Sequence, residues 1–356
     1  MNNDLQSLKQ EAVSLLQELI SLPSFSKDEW QTASTIAKFL SLKGLQVTRV
    51  GNNVLALNKY FDGTRPTLLL NSHHDTVKPN SNYTRDPFLP SIENGKLFGL
   101  GSNDAGGCLV SLMMTFLHFY EIADLKYNLA FAATAEEEIS GQGGIEMALE
   151  YLPKIDCAIV GEPTQMQMAV AEKGLVVLDC IARGKAGHAA RNEGENAIYK
   201  AIKDIEWINT YQFQKISDLL GPVKMSVTAI ETDNKAHNVV PAQCKFVTDV
   251  RVNELYTLEE AVSIIKQNIQ SEIIPRSFRI RSTSISLQHP LVQSGVRLGL
   301  SYYGSPTTSD KALMNFPALK IGPGDSARSH MADEFIFVDE IENGIDTYVN
   351  LLKCIL

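Results

Sequence analysis

The sequence has little cysteine, and what it has is poorly placed for cross-linking. Its five cysteines, Cys108, Cys157, Cys180, Cys244 and Cys354, are odd in number, widely spaced and without any CxxC pair. That argues against a disulfide framework and a thiolate zinc site, and it fits a reducing compartment. Long apolar runs are missing too: no stretch approaches the roughly 18 apolar residues that a membrane span needs. The opening MNNDLQSLKQEAVSLLQELISL has no basic region followed by an apolar one. Its leucines recur at helical spacing, which predicts an amphipathic helix rather than a signal peptide. Basic residues are outnumbered, 32 Lys and Arg against 41 Asp and Glu, for a net charge of −9. With the basic residues scattered, neither nucleic acid nor an anionic membrane is expected as a partner, which leaves small molecules. Repeats and low-complexity segments are absent. The expected location is cytoplasmic.

What is present is an ordinary globular composition, 44% apolar and 21% charged, in a chain of 356 residues, long enough to expect two domains. After the first helix, Leu22-Pro23-Ser24-Phe25-Ser26 breaks the pattern, and a second helix is predicted over residues 30–42. Strands follow around 47–57 and 67–71, then a Pro-, Asn- and Gly-rich loop over 78–95 and the apolar helix GGCLVSLMMTFLHFYEI. A strand from Asn128, a helix over 145–152 and a strand over 157–160 continue the alternation. Strand, helix, strand, helix implies an α/β domain with a largely parallel sheet. From about residue 172 the pattern changes: GLVVLDCIARG, KMSVTAIET and QCKFVTDVRV read as strands, separated by helical patterns over 194–211 and 257–272. That predicts an inserted α+β domain of roughly 110 residues. The expected division is 1–171 with 283–356, and 172–282 between them. The chain is expected to close on a helix over 339–356.

The stretch the rest is organised around is NLAFAATAEEE, Asn128 to Glu138. An apolar run without helical period, carrying straight into three carboxylates, is how a buried parallel strand looks when it ends at a polar site. Three adjacent anions repel, so such a cluster needs solvent, cations or metal. The carboxyl ends of strands are where open α/β sheets bind ligands. Taken alone, EEE reads as a solvated charge run.

Other segments weigh on that choice. In NSHHDTV, His73 and Asp75 are two apart and leave the same face of an extended strand, while His74 faces the other way. A ligating His is commonly oriented by a carboxylate at its second nitrogen, which makes His73 the better ligand candidate and Asp75 its partner. Asp104 follows a glycine-rich turn before the apolar helix and is equally placed to be an N-cap. Glu162, in Gly161-Glu162-Pro163, reads alone as a loop residue, and His330, in GPGDSARSHMADE, as an exposed one. Four of these positions nonetheless fall where predicted strands end or loops return. Two His with several Asp or Glu and no Cys is a donor set suited to zinc, manganese or cobalt. Two divalent cations would balance the four charges of Asp104, Glu137, Glu138 and Glu162.

These motifs together resemble the co-catalytic M20 metallopeptidase family. The resemblance is carried by HxD at His73 and Asp75, LFGLGSND ending at Asp104, TAEEE ending at Glu138, GEPT with Glu162, GxxGHxxxxxGxNAI around His188, NVVP at Asn238, DVR at Arg251 and GPGxxxxxHMADE at His330. It implies a metallopeptidase-type α/β catalytic domain, of the phosphorylase/hydrolase-like class, with an inserted ferredoxin-like lid or dimerisation domain. It implies that Asp104 bridges two divalent ions, zinc or else cobalt or manganese. His73 and Glu162 would complete one site, and Glu138 and His330 the other. Glu137 would be the general base and Asp75 would orient His73; strand alternation alone pairs Glu136 with Glu138. His188, Asn238 and Arg251 would complete the substrate pocket, with His188 reaching a partner subunit of a homodimer.

An alternative for Arg251 is a salt bridge with Asp249. The family commonly has Gly and Thr where Ser72 and His74 stand, Asp for Glu136 and Pro for Asn192, which bears on the substrate and not on the ligands. The expected reaction is hydrolysis of the amide of an N-acyl amino acid. The form of GEPT, AEKG and GPG favours N2-acetyl-L-ornithine, as in arginine biosynthesis. A succinylated ornithine or diaminopimelate, acetyl-lysine, and a di- or tripeptide are the alternatives. A catalytically silent binding protein on the same fold would require loss of a ligand or of Glu137, and the sequence has lost neither.

Overall fold

The computed structural model describes residues 5–191 and 193–356. The first four residues and Asn192, both touched on above, lie outside them. The chain forms two compact units, one of residues 1–170, 285–303 and 309–356, the other of 171–284 and 304–308. The short return at 304–308 is not marked by any change in the sequence pattern.

The first unit is built on a mixed sheet. Strands Asn128–Thr134, Thr67–His73, Cys157–Val160 and Ala318–Lys320 carry its parallel centre, in the spatial order Asn128, Thr67, Cys157, Ala318. The hairpin Val47–Val50 and Asn53–Leu57 is added antiparallel beside the Asn128 strand. The sequence reads that hairpin as one strand. Gly51, with φ of 60°, turns the chain within it. Every residue of the Thr67 and Asn128 strands is buried, as expected of parallel strands covered on both faces.

The helix Gly107–Phe119 has only one residue that is not buried, and an apolar helix without a polar face belongs inside a domain. It packs on the Thr67 strand and on the helices Leu5–Ile20 and Val338–Lys353. The first of these buries Leu8, Ala12, Leu15, Leu16 and Leu19, a single stripe at helical spacing. A small antiparallel sheet, Ser91–Glu93, Lys96–Phe98 and Phe335–Phe337, joins the segment before Asp104 to the one after His330.

The second unit has the chain order strand, helix, strand, strand, helix, strand. Its sheet runs Lys224–Thr232, Gln243–Val252, Gly174–Arg183, Glu272–Pro275, all antiparallel, which is a ferredoxin-like order. The Gly174 strand alternates buried and half-buried residues almost without exception, so one face is core and the other is not. Helices Ala197–Thr210 and Leu258–Asn268 cover the core face through Ala197, Ala201, Ile208, Ala261, Val262 and Ile265. The second helix starts at a reciprocal capping box between Thr257 and Glu260.

Candidate metal centre

The parallel register places the candidate ligands at one edge. His73 pairs with Thr134, and Val160 with both Asn71 and Lys320, so the four central strands end together. From those ends come His73 itself, the Glu136–Glu138 turn, Glu162 and the loop that carries His330. Asp104 arrives from the turn Ser102–Gly106 that opens the central helix. No side chain caps that helix, so the N-cap alternative for Asp104 does not hold.

The side chains converge. His73 Nε2 lies 3.3 Å from Asp104 Oδ1, 3.9 Å from Glu162 Oε1 and 4.0 Å from Glu137 Oε2. His330 Nε2 lies 3.1 Å from Glu138 Oε2 and 3.8 Å from Asp104 Oδ2. One oxygen of Asp104 thus faces His73 and the other faces His330. Among the described residues, the ligand atoms of His73, Asp104 and Glu138 all lie within 4.8 Å of one another, as do those of His73, Glu137 and Glu162.

Glu136 does not join them. It takes up a left-handed conformation with φ of 54°, and its carboxylate accepts from the Gly143 amide. The left-handed residue breaks the alternation of the strand, so Glu137 and Glu138 face the cluster together.

Asp75 does more than face His73. His73 Nδ1 is 3.0 Å from the Asp75 carbonyl and 3.5 Å from its carboxylate. The carboxylate accepts from the Glu137 and Glu138 amides at 3.0 and 3.1 Å and from the Ser26 hydroxyl at 2.7 Å. It therefore pins the acidic turn as well as the imidazole. Glu29, fully buried, accepts from the Glu136 amide and from the Asn52 side chain. Ser72 donates to the Gly161 carbonyl at 2.8 Å, tying the His73 strand to the Glu162 turn. His74 points away and sits between the Thr32 hydroxyl and the Asn52 carbonyl. Burial lowers its pKa to about 4, so it is neutral.

The electrostatics call for positive charge. Burial, then the charges of Glu162, Asp310 and Glu138, push the Glu137 carboxyl well above its ordinary range against the pull of His73. Burial opposes a charge on His73, yet the Asp104 and Asp75 carboxylates, with Glu137 and Glu162, raise it well above its ordinary value. The hydrogen bond to Glu138 raises His330 to about 9. Four carboxylates around two imidazoles form a donor set of hard oxygens and borderline nitrogens, and a pair of divalent cations fits it in number and charge.

Sequence reasoning missed three buried carboxylates here. Glu29 and Glu334 hold backbone amides, and a bond to a main-chain group leaves no pattern in side-chain types. Asp310 receives a 2.6 Å bond from the Thr134 hydroxyl, and burial raises its pKa to about 6. Its only signal is a lone acid entering a run of buried residues.

The three substrate-pocket candidates lie in the second unit. His188 and Asn238 meet at a two-residue ladder, where His188 pairs with Val239 and the Asn238 carbonyl accepts from Ala189. The His188 ring is exposed and accepts from the Ala190 amide. Arg251 makes a two-pronged pair with Asp249, at 2.9 and 3.0 Å, so the salt-bridge alternative is the one realised.

The comparisons agree with this architecture. A succinyl-diaminopimelate desuccinylase of Wolbachia pipientis is 26% identical over 97% of this chain and 94% of its own length. The M20 metallo-carboxypeptidase Sso-CP2 of Sulfolobus solfataricus superposes with a TM-score of 0.76 at 19% identity, over 96% of this chain and 98% of that one. The Bacillus subtilis YXEP protein, described as a dinuclear metal-binding M20 peptidase, gives 0.73 at 16% identity over 98% of both chains. No helix among the described residues is long and apolar enough to cross a membrane. The profile of peptidase family M20/M25/M40 matches residues 69–353, a span that takes in His73, Asp104, Glu138, Glu162 and His330, and the chain belongs to that family as a metal-dependent amidohydrolase.

Proposed function

We propose that the protein hydrolyses the amide of an N-acyl amino acid, with N2-acetyl-L-ornithine, cleaved to L-ornithine and acetate, as its substrate in arginine biosynthesis. The observation that carries the hydrolytic reading is the placement of Asp104 between His73 and His330, with Glu137 beside them. His73, Asp104 and Glu162 would hold one cation, and Asp104, Glu138 and His330 the other, zinc or else cobalt or manganese. When bound, such a pair lowers the pKa of water from about 15.7 to about 7 and polarises the scissile carbonyl.

The chain's own groups do the rest. Glu137 takes a proton from the attacking water and passes it to the leaving amine. Asp75 fixes the Glu137 amide and the His73 ring together, so base and ligand keep their spacing. His188 donates to the oxyanion, from a partner subunit of a homodimer, and Arg251 holds the substrate carboxylate in two-pronged fashion after leaving Asp249. Exposed Tyr199, Ile202 and Ile230, on a helix and a strand that pack together in the second unit, support a homodimer through that unit. The five free thiols support a cytoplasmic location.

A second reading, an N-succinyl amino acid such as succinyl-diaminopimelate, is favoured by the name of the Wolbachia relative. Release of acetate and of succinate from the two acyl-ornithines and from succinyl-diaminopimelate, with zinc or cobalt added, decides between them. Faster acetate release is expected. Faster succinate release would select the second reading, and hydrolysis of none of the three would overturn both.

A further inference from the structure

The carboxylate of Glu334 is the point at which two distant segments of the site are joined. It is almost fully buried. One oxygen accepts from the Gly101 amide at 2.9 Å, and the other accepts from the Asn103 and Asp104 amides at 2.8 and 2.9 Å. The Glu334 carbonyl also accepts from Gly99, at 3.0 Å. Gly101, left-handed with φ of 74°, turns the chain so that these amides converge.

The same loop is tied at its start. The Asn103 side chain donates to the Asp325 carbonyl at 3.0 Å and accepts from the Asp325 amide at 2.9 Å. His330 lies between the two ties. Its carbonyl takes a bond from Asn80, and the Asp333 carboxylate accepts from the Thr84 and Arg85 amides. The Asp104 turn and the His330 loop are therefore held as one assembly.

A carboxylate at this place is electrostatically unfavourable, since it is buried and the Asp104 carboxylate is already close by. Packing alone would be served better by a neutral side chain. What a carboxylate supplies is two acceptor oxygens for three convergent amides, and an amide side chain has only one.

We propose that Glu334 is a positioning residue for the cation pair: by gripping the amides of the Asp104 turn from the His330 loop, it fixes the Asp104 carboxylate between His73 and His330 and so sets the affinity of the second cation. This rests on Asp104 being the shared ligand.

The test is Glu334→Gln, titrated with cobalt(II) alone by calorimetry and followed by electron paramagnetic resonance of the cobalt-loaded protein. The first cobalt is expected to bind as in the wild type. The second should bind about 10- to 100-fold more weakly, the usual effect of losing a group that holds a ligand in place. Spin coupling between the ions should weaken, and excess cobalt should restore part of kcat. A folded Glu334→Gln protein with two cobalt ions at wild-type affinity and coupling overturns the proposal. If Glu334→Gln does not fold, Glu334→Asp is read the same way; should both stay unfolded with cobalt present, Glu334 holds the fold and the proposal also fails. If the wild type itself binds fewer than two cobalt ions, it is the shared-ligand reading that falls.

Discussion

The two units treat their polar groups differently. In the first, the candidate ligands sit at the ends of parallel strands or, for Asp104, in the turn that opens the central helix, and buried carboxylates grip the backbone of the acidic turn and of Asp104: Asp75 holds Glu137 and Glu138, Glu29 holds Glu136, and Glu334 holds Asp104. In the second, His188 is exposed on a two-residue ladder and Arg251 is occupied by Asp249. The proposed cation ligands and the proposed base are held in place within one unit, which would limit their reorganisation during reaction. The groups proposed for substrate recognition are exposed or engaged with a neighbour instead. Bond cleavage and recognition should therefore fail separately.

The largest expected effect is on the first unit as a whole. Removal of divalent cations by a chelator should take hydrolysis down to the uncatalysed rate, and zinc or cobalt should restore it. Full activity of a protein shown by elemental analysis to be free of metal would end the account. Next is Glu137→Gln, which should retain both cations while kcat falls by about 10²- to 10⁴-fold, the range for losing a general acid–base group. A fall below about tenfold would remove Glu137 from that role.

In the second unit, Arg251→Met should raise KM by about tenfold or more with a smaller change in kcat, the signature of lost binding common to ground and transition states. A carboxamide analogue that binds as tightly as the free acid would exclude Arg251 from the pocket. The smallest effect belongs to Ser72→Ala, which deprives the buried Gly161 carbonyl of its partner and should reduce stability by about 1–3 kcal/mol in thermal or denaturant unfolding. Its kcat should stay near that of the wild type, because the ligands themselves are untouched.

The contrast between the units also explains what could be read from the sequence. His73, Glu138 and Glu162 were legible only together, because each follows an apolar run that marks a strand and its end, while each alone reads as a structural or solvated residue. The family fold was legible through the resemblance of the motifs, and the need for metal through two His with several Asp or Glu and no Cys. Glu137 was not separable from Glu136 by pattern, because a left-handed residue at 136 breaks the alternation on which the pattern depends. Arg251 stayed undecided because Asp249, two residues away, leaves the same face of its strand, and no spacing tells a partner from a competitor. Glu29 left no pattern, and Glu334, though it ends the motif GPGxxxxxHMADE, carried no sign of its role, since both grip main-chain amides. The small sheet built from 91–98 and 335–337 escaped notice because its strands are three residues long, too short for any period to show.

The central claim is that Asp104 is shared by two cations while Glu137 stands beside them. Anomalous diffraction from zinc-loaded crystals tests it directly. The account predicts two zinc peaks, one among His73, Asp104 and Glu162 and the other among Asp104, Glu138 and His330, with Glu137 bound to neither. A single peak away from Asp104, or Glu137 within coordinating distance of both ions, would contradict it.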